Sequence, residues 1–389
     1  MSEPALRSLL AFLDRLALGW WEWMLPLAAH IAFLAAAVAI LEFLIGRSAG
    51  QRILSESLRV RVLTLLWALV LVKVLLPPSL ASPLSVMHLV VDRPLEAASA
   101  ADEQSVPMAV VRGTALVWLI GAMALGVMLV ARLRSVRRDA ILRSVAADPA
   151  TRLAVQRAAT RVGLRSTPAM RVVAHAHEAA IVGVWRPLLL VPAEAALSTT
   201  QREHVILHEC MHLRRGDHRW SALAWPILLC VWFHPAAWIA RARLAALREI
   251  RCDAAVTSLL GSEGPSYRAT LLEVARSLLI ASEHDRRLPR GAAAFGVLGI
   301  ASPLCERLTA LERSQTLPRW RRRCESLAAV GVTLIVAACC LPLATPPIPI
   351  TEQWRAAQGC MHKRLIILRL QAEIARSSAA SDPSSRSSP

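Results

Sequence analysis

Four long apolar runs punctuate the chain, approximately Met24–Ile45, Val62–Pro77, Met108–Ala131 and Ser326–Leu343. As helices rising ~1.5 Å per residue they are matched to a hydrocarbon core of ~30 Å. The second is the shortest and carries Lys73 near one end, where its ammonium is expected to reach the headgroups. Trp20, Trp21 and Trp23 precede the first run, as in an interfacial aromatic belt. Between the third and fourth runs the pattern becomes amphipathic. Pro149–Val162 predicts a helix stopped by Gly163. Met170–Ala174 and Ile181–Val191 predict strands, the second interrupted by Arg186-Pro187, which suits an edge position. Ser198-Thr199-Thr200-Gln201 predicts a capping box opening a helix that runs to about Arg215, with Gly216 as its stop. Ser221–Ala240 is apolar and rich in Trp, and Ala242–Leu260 predicts a further helix. Ser377–Pro389 reads as a Ser/Pro-rich disordered end.

Composition agrees with a membrane protein. Of 389 residues, 55% are hydrophobic and only 19% charged, and mean hydropathy is +0.45. A soluble domain is nearer a quarter charged. The net charge of +17 rests almost wholly on Arg, since Lys73 and Lys363 are the only lysines. The eight cysteines are scattered without a CxxC pair, so neither a disulfide framework nor a zinc ribbon is indicated.

Charge position then sets an expected topology. Arg47, Arg52, Arg59 and Arg61 lie between the first two runs, Arg132, Arg134, Arg137 and Arg138 follow the third, and Arg319 and Arg321–Arg323 precede the fourth. The segment between the second and third runs holds Asp92, Glu96, Asp102 and Glu103 against Arg93 alone. The positive-inside rule therefore places both termini outside the cell membrane and residues 132–325 in the cytoplasm. The expected organisation is a membrane domain of three spans over 1–131, a cytoplasmic domain over 132–325, a fourth span over 326–345 and a short extracytoplasmic tail over 346–389. Beside a span, Arg321–Arg323 read as a topology anchor, so no direct nucleic-acid contact is expected.

Within the capped helix stands His208-Glu209-Cys210-Met211-His212, an HExxH sequence. Histidines at i and i+4 share one helix face and can hold one Zn2+, while the adjacent glutamate polarises a water as general base. Two residues are candidates for a third ligand. His218 follows His212 at the HExxHxxGxxH spacing, but Arg215 stands where that pattern needs glycine. Glu249 shares a helix face with Asp253 at i+4, so Glu249 can bind metal while Asp253 orients a ligand imidazole from behind. His175, His177 and Glu178 read as loop residues beside a strand. His234 reads as a capping or packing residue, with donation to an oxyanion as the alternative. Cys210 and Cys252 read as small buried packing residues.

If Ser221–Ala240 crossed the bilayer, His212 and Glu249 would stand in opposite compartments, some 30 Å apart. One zinc ion needs both within ~2 Å. The segment is therefore expected to be buried in the protein or to lie at the membrane surface, bent at Pro226.

The order of motifs resembles the BlaR/MecR family of membrane zinc metallopeptidases, named for β-lactam-sensing receptors. It runs through Arg186-Pro187-Leu188-Leu189-Leu190-Val191-Pro192, the HExxH with Arg214, Arg215 and Asp217 behind it, Trp232-Phe233-His234-Pro235, and Glu249…Cys252-Asp253. The resemblance implies a mainly α membrane protein of about four transmembrane helices with a cytoplasmic, gluzincin-like α+β protease domain. It implies His208, His212 and Glu249 as zinc ligands, Glu209 as general base and Asp253 as their support. It also implies an endopeptidase acting in signal transduction on a cytosolic protein, a transcriptional repressor or the chain itself, with homodimer formation left open. A membrane quality-control or prenyl-protein-type HExxH protease and a non-catalytic receptor or scaffold are the alternatives. The tail after the fourth run is too short for the penicillin-binding sensor of the fully developed receptors, and no Ser-x-x-Lys occurs in the chain. Without an acylatable serine beside a lysine base, the protein expressed alone is expected to take up no fluorescent penicillin. A labelled band surviving denaturation on a gel would contradict this.

Overall fold

The computed structural model describes residues 3–46, 55–76, 107–142, 144–173, 179–192, 198–284, 304–313 and 318–340. It is mostly helical, with one small sheet. In chain order the helices are α1 (Glu3–Gly46), α2 (Glu56–Lys73), α3 (Met108–Leu142), α4 (Pro149–Val162), α5 (Thr199–Arg215), α6 (Asp217–Cys230), α7 (Pro235–Leu260), α8 (Gly264–His284), α9 (304–313) and α10 (Arg319–Cys340). The strands are β1 (Ser144–Val145), β2 (Ala169–Val173), β3 (Ala180–Val182) and β4 (Leu188–Pro192).

These elements fall into two compact units. The first contains the start of α1 up to Leu27 and the start of α3 up to Trp118. There Arg112 holds Asp14 through two hydrogen bonds of 2.5 and 2.7 Å, and the Trp20 and Trp118 rings lie 5.7 Å apart between centroids.

The second unit holds the remaining described elements. Here α2 lies against both α7 and α10. Its Val62, Leu63, Leu66, Trp67, Val70 and Leu71 are buried, and so is Lys73 at 1% exposure. Lys73 is thus enclosed by protein instead of reaching the headgroups as expected, because hydropathy does not reveal that neighbouring helices wrap this one. Glu325 of α10 accepts hydrogen bonds from Ser55 and Ser57, which fixes the start of α2.

Among the described residues, two helical stretches are long and apolar enough to cross a membrane, Arg7–Gly46 and Met108–Arg138. The other two expected runs form α2 and α10.

The sheet has the order β1-β2-β4-β3, with β2 and β4 parallel and both outer pairs antiparallel. The expected single strand over Ile181–Val191 is in fact a hairpin. Gly183 takes φ +103°, and a side chain there would meet the Arg186 carbonyl at 2.8 Å, so the chain reverses before Pro187. Of the hairpin's two strands, only β3 lies at an edge of the sheet; β4 is internal. Val155, Ala158 and Val162 of α4, Leu189 and Val191 of β4, and Ile206, Leu207, Cys210 and Met211 of α5 form one core. Cys252, Val256 and Leu260 of α7 and Tyr267 of α8 complete it.

Local signals set the helix ends. Asp148 caps α4 by accepting from Thr151 N, and Gly163 ends it in a left-handed conformation. Ser198 and Gln201 form the expected capping box of α5, which ends at Gly216 with φ +72°. That residue directly precedes α6, so the chain turns a tight corner there.

Ser221–Ala240 does not form one long helix. At 14 residues, α6 reaches only ~21 Å, Pro226 lies within it, and a turn at Val231–Phe233 separates it from α7. His234 caps α7, with Nδ1 accepting from Ala236 N at 3.2 Å and Nε2 donating to the Ala28 carbonyl at 3.0 Å. It is a capping residue, as read from the sequence. Arg241 packs over the Trp225 ring at 4.5 Å, holding the two helices together.

The Trp232 ring fills the space beside Gly121 of α3, where any Cβ would collide with it. Gly121→Ala is therefore expected to cost roughly 1–3 kcal/mol. In a Trp232→Ala background it should add no further loss, as read by thermal unfolding in detergent.

Candidate metal centre

Helix α5 places His208 and His212 one turn apart, and α7 packs against it with Glu249 and Asp253. The two Nε2 atoms are 3.0 Å apart. Glu249 reaches both, with Oε2 at 3.3 Å from His208 Nε2 and Oε1 at 3.4 Å from His212 Nε2. A tetrahedral ion bonded at ~2.0–2.1 Å separates its ligand atoms by about 3.3–3.4 Å. These three donors therefore converge as a metal site requires.

Cys252 is an alternative third donor, since its Sγ clusters with His208 and His212 within 4.8 Å. The thiol is fully buried and faces the His208 carbonyl at 3.4 Å. Glu249 is partly open to solvent and offers one oxygen to each imidazole. His218 lies beside the Val184 backbone, with Asp217 and Arg219 as charged neighbours. His175, His177 and Glu178 fall outside the described residues.

Behind each imidazole stands a carboxylate. His212 Nδ1 donates to Asp217 Oδ2 at 2.8 Å. His208 Nδ1 lies 2.8 Å from the Tyr267 hydroxyl and 3.2 Å from Asp253 Oδ1. Tyr267 gives its own proton to Asp253 at 2.7 Å, so its oxygen is left to accept from His208. Both Nδ1 atoms carry a proton in this arrangement, so the Nε2 atoms are the ones presented to a cation once their own protons leave. Arg307 of α9 grips Asp253 with Nε at 2.6 Å and Nη2 at 2.9 Å, and its Nη1 lies 3.5 Å from Glu249 Oε2.

Sequence reasoning singled out neither Tyr267 nor Arg307, and noted Asp217 only as part of a motif. Tyr267 carried one signal, as the sole tyrosine of the chain. Arg307 is one of 45 basic residues and carried none.

The electrostatics suit a cation. Burial disfavours an imidazolium at His212, yet hydrogen bonds to Asp217, Cys252 and Glu249 outweigh it and raise its pKa to about 11. At His208 burial is likewise outweighed, by Tyr267, Cys252 and Asp253, and the pKa is raised. Burial would raise the Glu249 carboxyl, but the two histidines hold it well below the usual carboxylate range. Glu209, half-buried, follows His208 on α5, roughly 60° around the helix from His212 at 100° per residue.

A sequence profile of the family described as BlaR1 peptidase M56 matches residues 28–309, and the chain belongs to this family of metal-dependent peptidases. No curated protein matches it. The matched span contains every residue of the centre described above.

A metal must displace the protons that the raised imidazole pKa values keep on the metal-free site. Apparent metal affinity is therefore expected to rise with pH, by up to about tenfold per unit for each proton displaced. Calorimetric titration in buffers of different protonation heat measures this directly. Binding with no proton release would contradict the arrangement.

Proposed function

We propose that this member of the BlaR1 peptidase M56 family is an integral membrane zinc endopeptidase that cleaves a cytosolic protein, a transcriptional repressor or its own chain, in signal transduction. The observation that carries the reading is the convergence of both Nε2 atoms and the Glu249 carboxylate, with Glu209 beside them on the HExxH helix. Two imidazoles, one carboxylate and an open fourth position form the donor set of a catalytic zinc site. His208, His212 and Glu249 would hold the ion, with Asp217 and Asp253 orienting the imidazoles. Zinc there would supply a Lewis acid that polarises the scissile carbonyl and lowers the pKa of the attacking water. Glu209 takes the proton of that water and passes it to the leaving amine.

The domain and topology expectations enter the same proposal. Helices α1, α2, α3 and α10 are its four spans, the centre between the third and fourth faces the cytoplasm, and both termini lie outside. The arginine-rich flanks and the acidic segment after the second run support this orientation. A site on that side reaches cytosolic peptide bonds and no others. Strand β3, at the sheet edge beside α5, supports a mode in which an extended substrate backbone adds to the sheet.

Peptide cleavage by the full chain in vesicles, measured with metal content, tests the reading. Glu209→Gln is expected to keep the metal and lose roughly 10²–10⁴-fold in cleavage. Glu249→Ala should lose metal, whereas Cys252→Ser should keep it. The reverse pattern in the last two would move the third ligand to Cys252, and undiminished cleavage by Glu209→Gln would overturn the mechanism.

A further inference from the structure

Two adjacent residues of α9 face two different networks. Arg307 grips Asp253 and reaches Glu249. Glu306 accepts two hydrogen bonds from Arg243, Nη1 to Oε2 and Nη2 to Oε1, each at 3.1 Å. Arg59 of α2 lies 3.8 Å from Glu306 Oε1. Arg243 Nη2 also bonds Glu42 of α1, whose second oxygen accepts from Trp67 Nε1 of α2 at 2.8 Å. Two networks, one reaching α1 and α2 through Glu306 and the other reaching the residues behind the metal centre through Arg307, thus meet at the backbone of α9.

We propose that Arg307 is a positioning residue for the metal centre, and that Glu306 makes this positioning depend on how α1 and α2 are paired. The inference rests on the metal reading given above. Its physical basis is that Glu306 and Arg307 are neighbours on one helix. A helix in a protein draws most of its stability from tertiary contacts, so its place is set by what holds it. Neighbouring helical residues point ~100° apart, so one backbone links both networks rigidly. A shift of α1 or α2 that releases Glu306 also displaces the guanidinium that orients Asp253 and Glu249. Asp253 in turn holds His208 through Nδ1, so two of the three metal donors answer to one arginine.

The arginine fork separates positioning from mere charge. Lysine keeps the charge but cannot grip Asp253 with two parallel donors. In the full chain, Arg307→Lys is expected to bind metal 10–100-fold more weakly, the range typical for groups supporting metal ligands. It should also alter the visible spectrum of the cobalt-substituted protein while the chain still folds, as shown by a cooperative thermal transition. Glu306→Gln should weaken metal binding at least threefold, although it touches no proposed ligand. Because both act by one route, adding Glu306→Gln to Arg307→Lys should cost less than the product of the two separate effects.

Wild-type binding that is lost in Glu249→Ala but unchanged in Arg307→Lys and Glu306→Gln would overturn this inference and leave the metal reading standing. Effects that simply multiply would overturn the coupling through Glu306. Absence of metal binding by the wild-type chain would overturn both readings.

Discussion

A carboxylate with no solvent exposure stands at the centre of this fold. Asp253 is wholly buried. A buried charge persists only where hydrogen bonds and an opposite charge replace its hydration. Asp253 obtains the Arg307 fork, the Tyr267 hydroxyl proton and the His208 ring. Each comes from a different helix, α9, α8 and α5, while Asp253 itself lies on α7. Satisfying one carboxylate therefore fixes four helices against one another, and it does so on the same side of α7 that presents Glu249. Burial opposes ionisation of Asp253, yet His208 and Arg307 hold its pKa below the usual range. The group remains an acceptor, as the orientation of His208 requires.

The second imidazole is fixed by a local device. Gly216 turns the chain in a left-handed conformation that ends α5, and Asp217 follows as the first residue of α6. A carboxylate is favoured at a helix N-terminus by the exposed N–H groups and the dipole, and this one also receives His212 Nδ1. One imidazole thus depends on a neighbour five residues away, and the other on Tyr267 and Asp253, brought together from two further helices. On the proposed reading, the first half of the centre forms with its corner, and the second only when α7, α8 and α9 dock.

That difference explains what could be read from the sequence. The capping box at Ser198–Gln201, the stops at Gly163 and Gly216, the HExxH pair and the shared face of Glu249 and Asp253 are local patterns, and each stands where its spacing put it. His234 likewise proved a cap. Tyr267 and Arg307 lie 14 and 54 residues from the carboxylate they serve, and no periodicity links such positions. The hairpin at Gly183 was hidden because apolar residues continue on both sides of it, and Lys73 was misplaced because hydropathy cannot say which helices will surround it. Short-range geometry is written in spacing; tertiary choice of partner is not.

The segment between the two ligand helices shows how chemistry can overrule hydropathy. Ser221–Ala240 is as apolar as a span, and its tryptophans would suit one. On the proposed reading, metal ligation limits how far apart its donors can stand. When HExxH precedes such a segment and the third carboxylate follows it, the segment must return to its starting side. The fold meets that demand with a break at Val231–Phe233 and a His234 cap tied to α1, and the imidazole and carboxylate atoms then lie 3.3–3.4 Å apart. A ligand pair flanking an apolar stretch is thus a constraint on topology, independent of the arginine flanks. Here both constraints support placing the centre and the α6–α7 corner on the same side of the membrane.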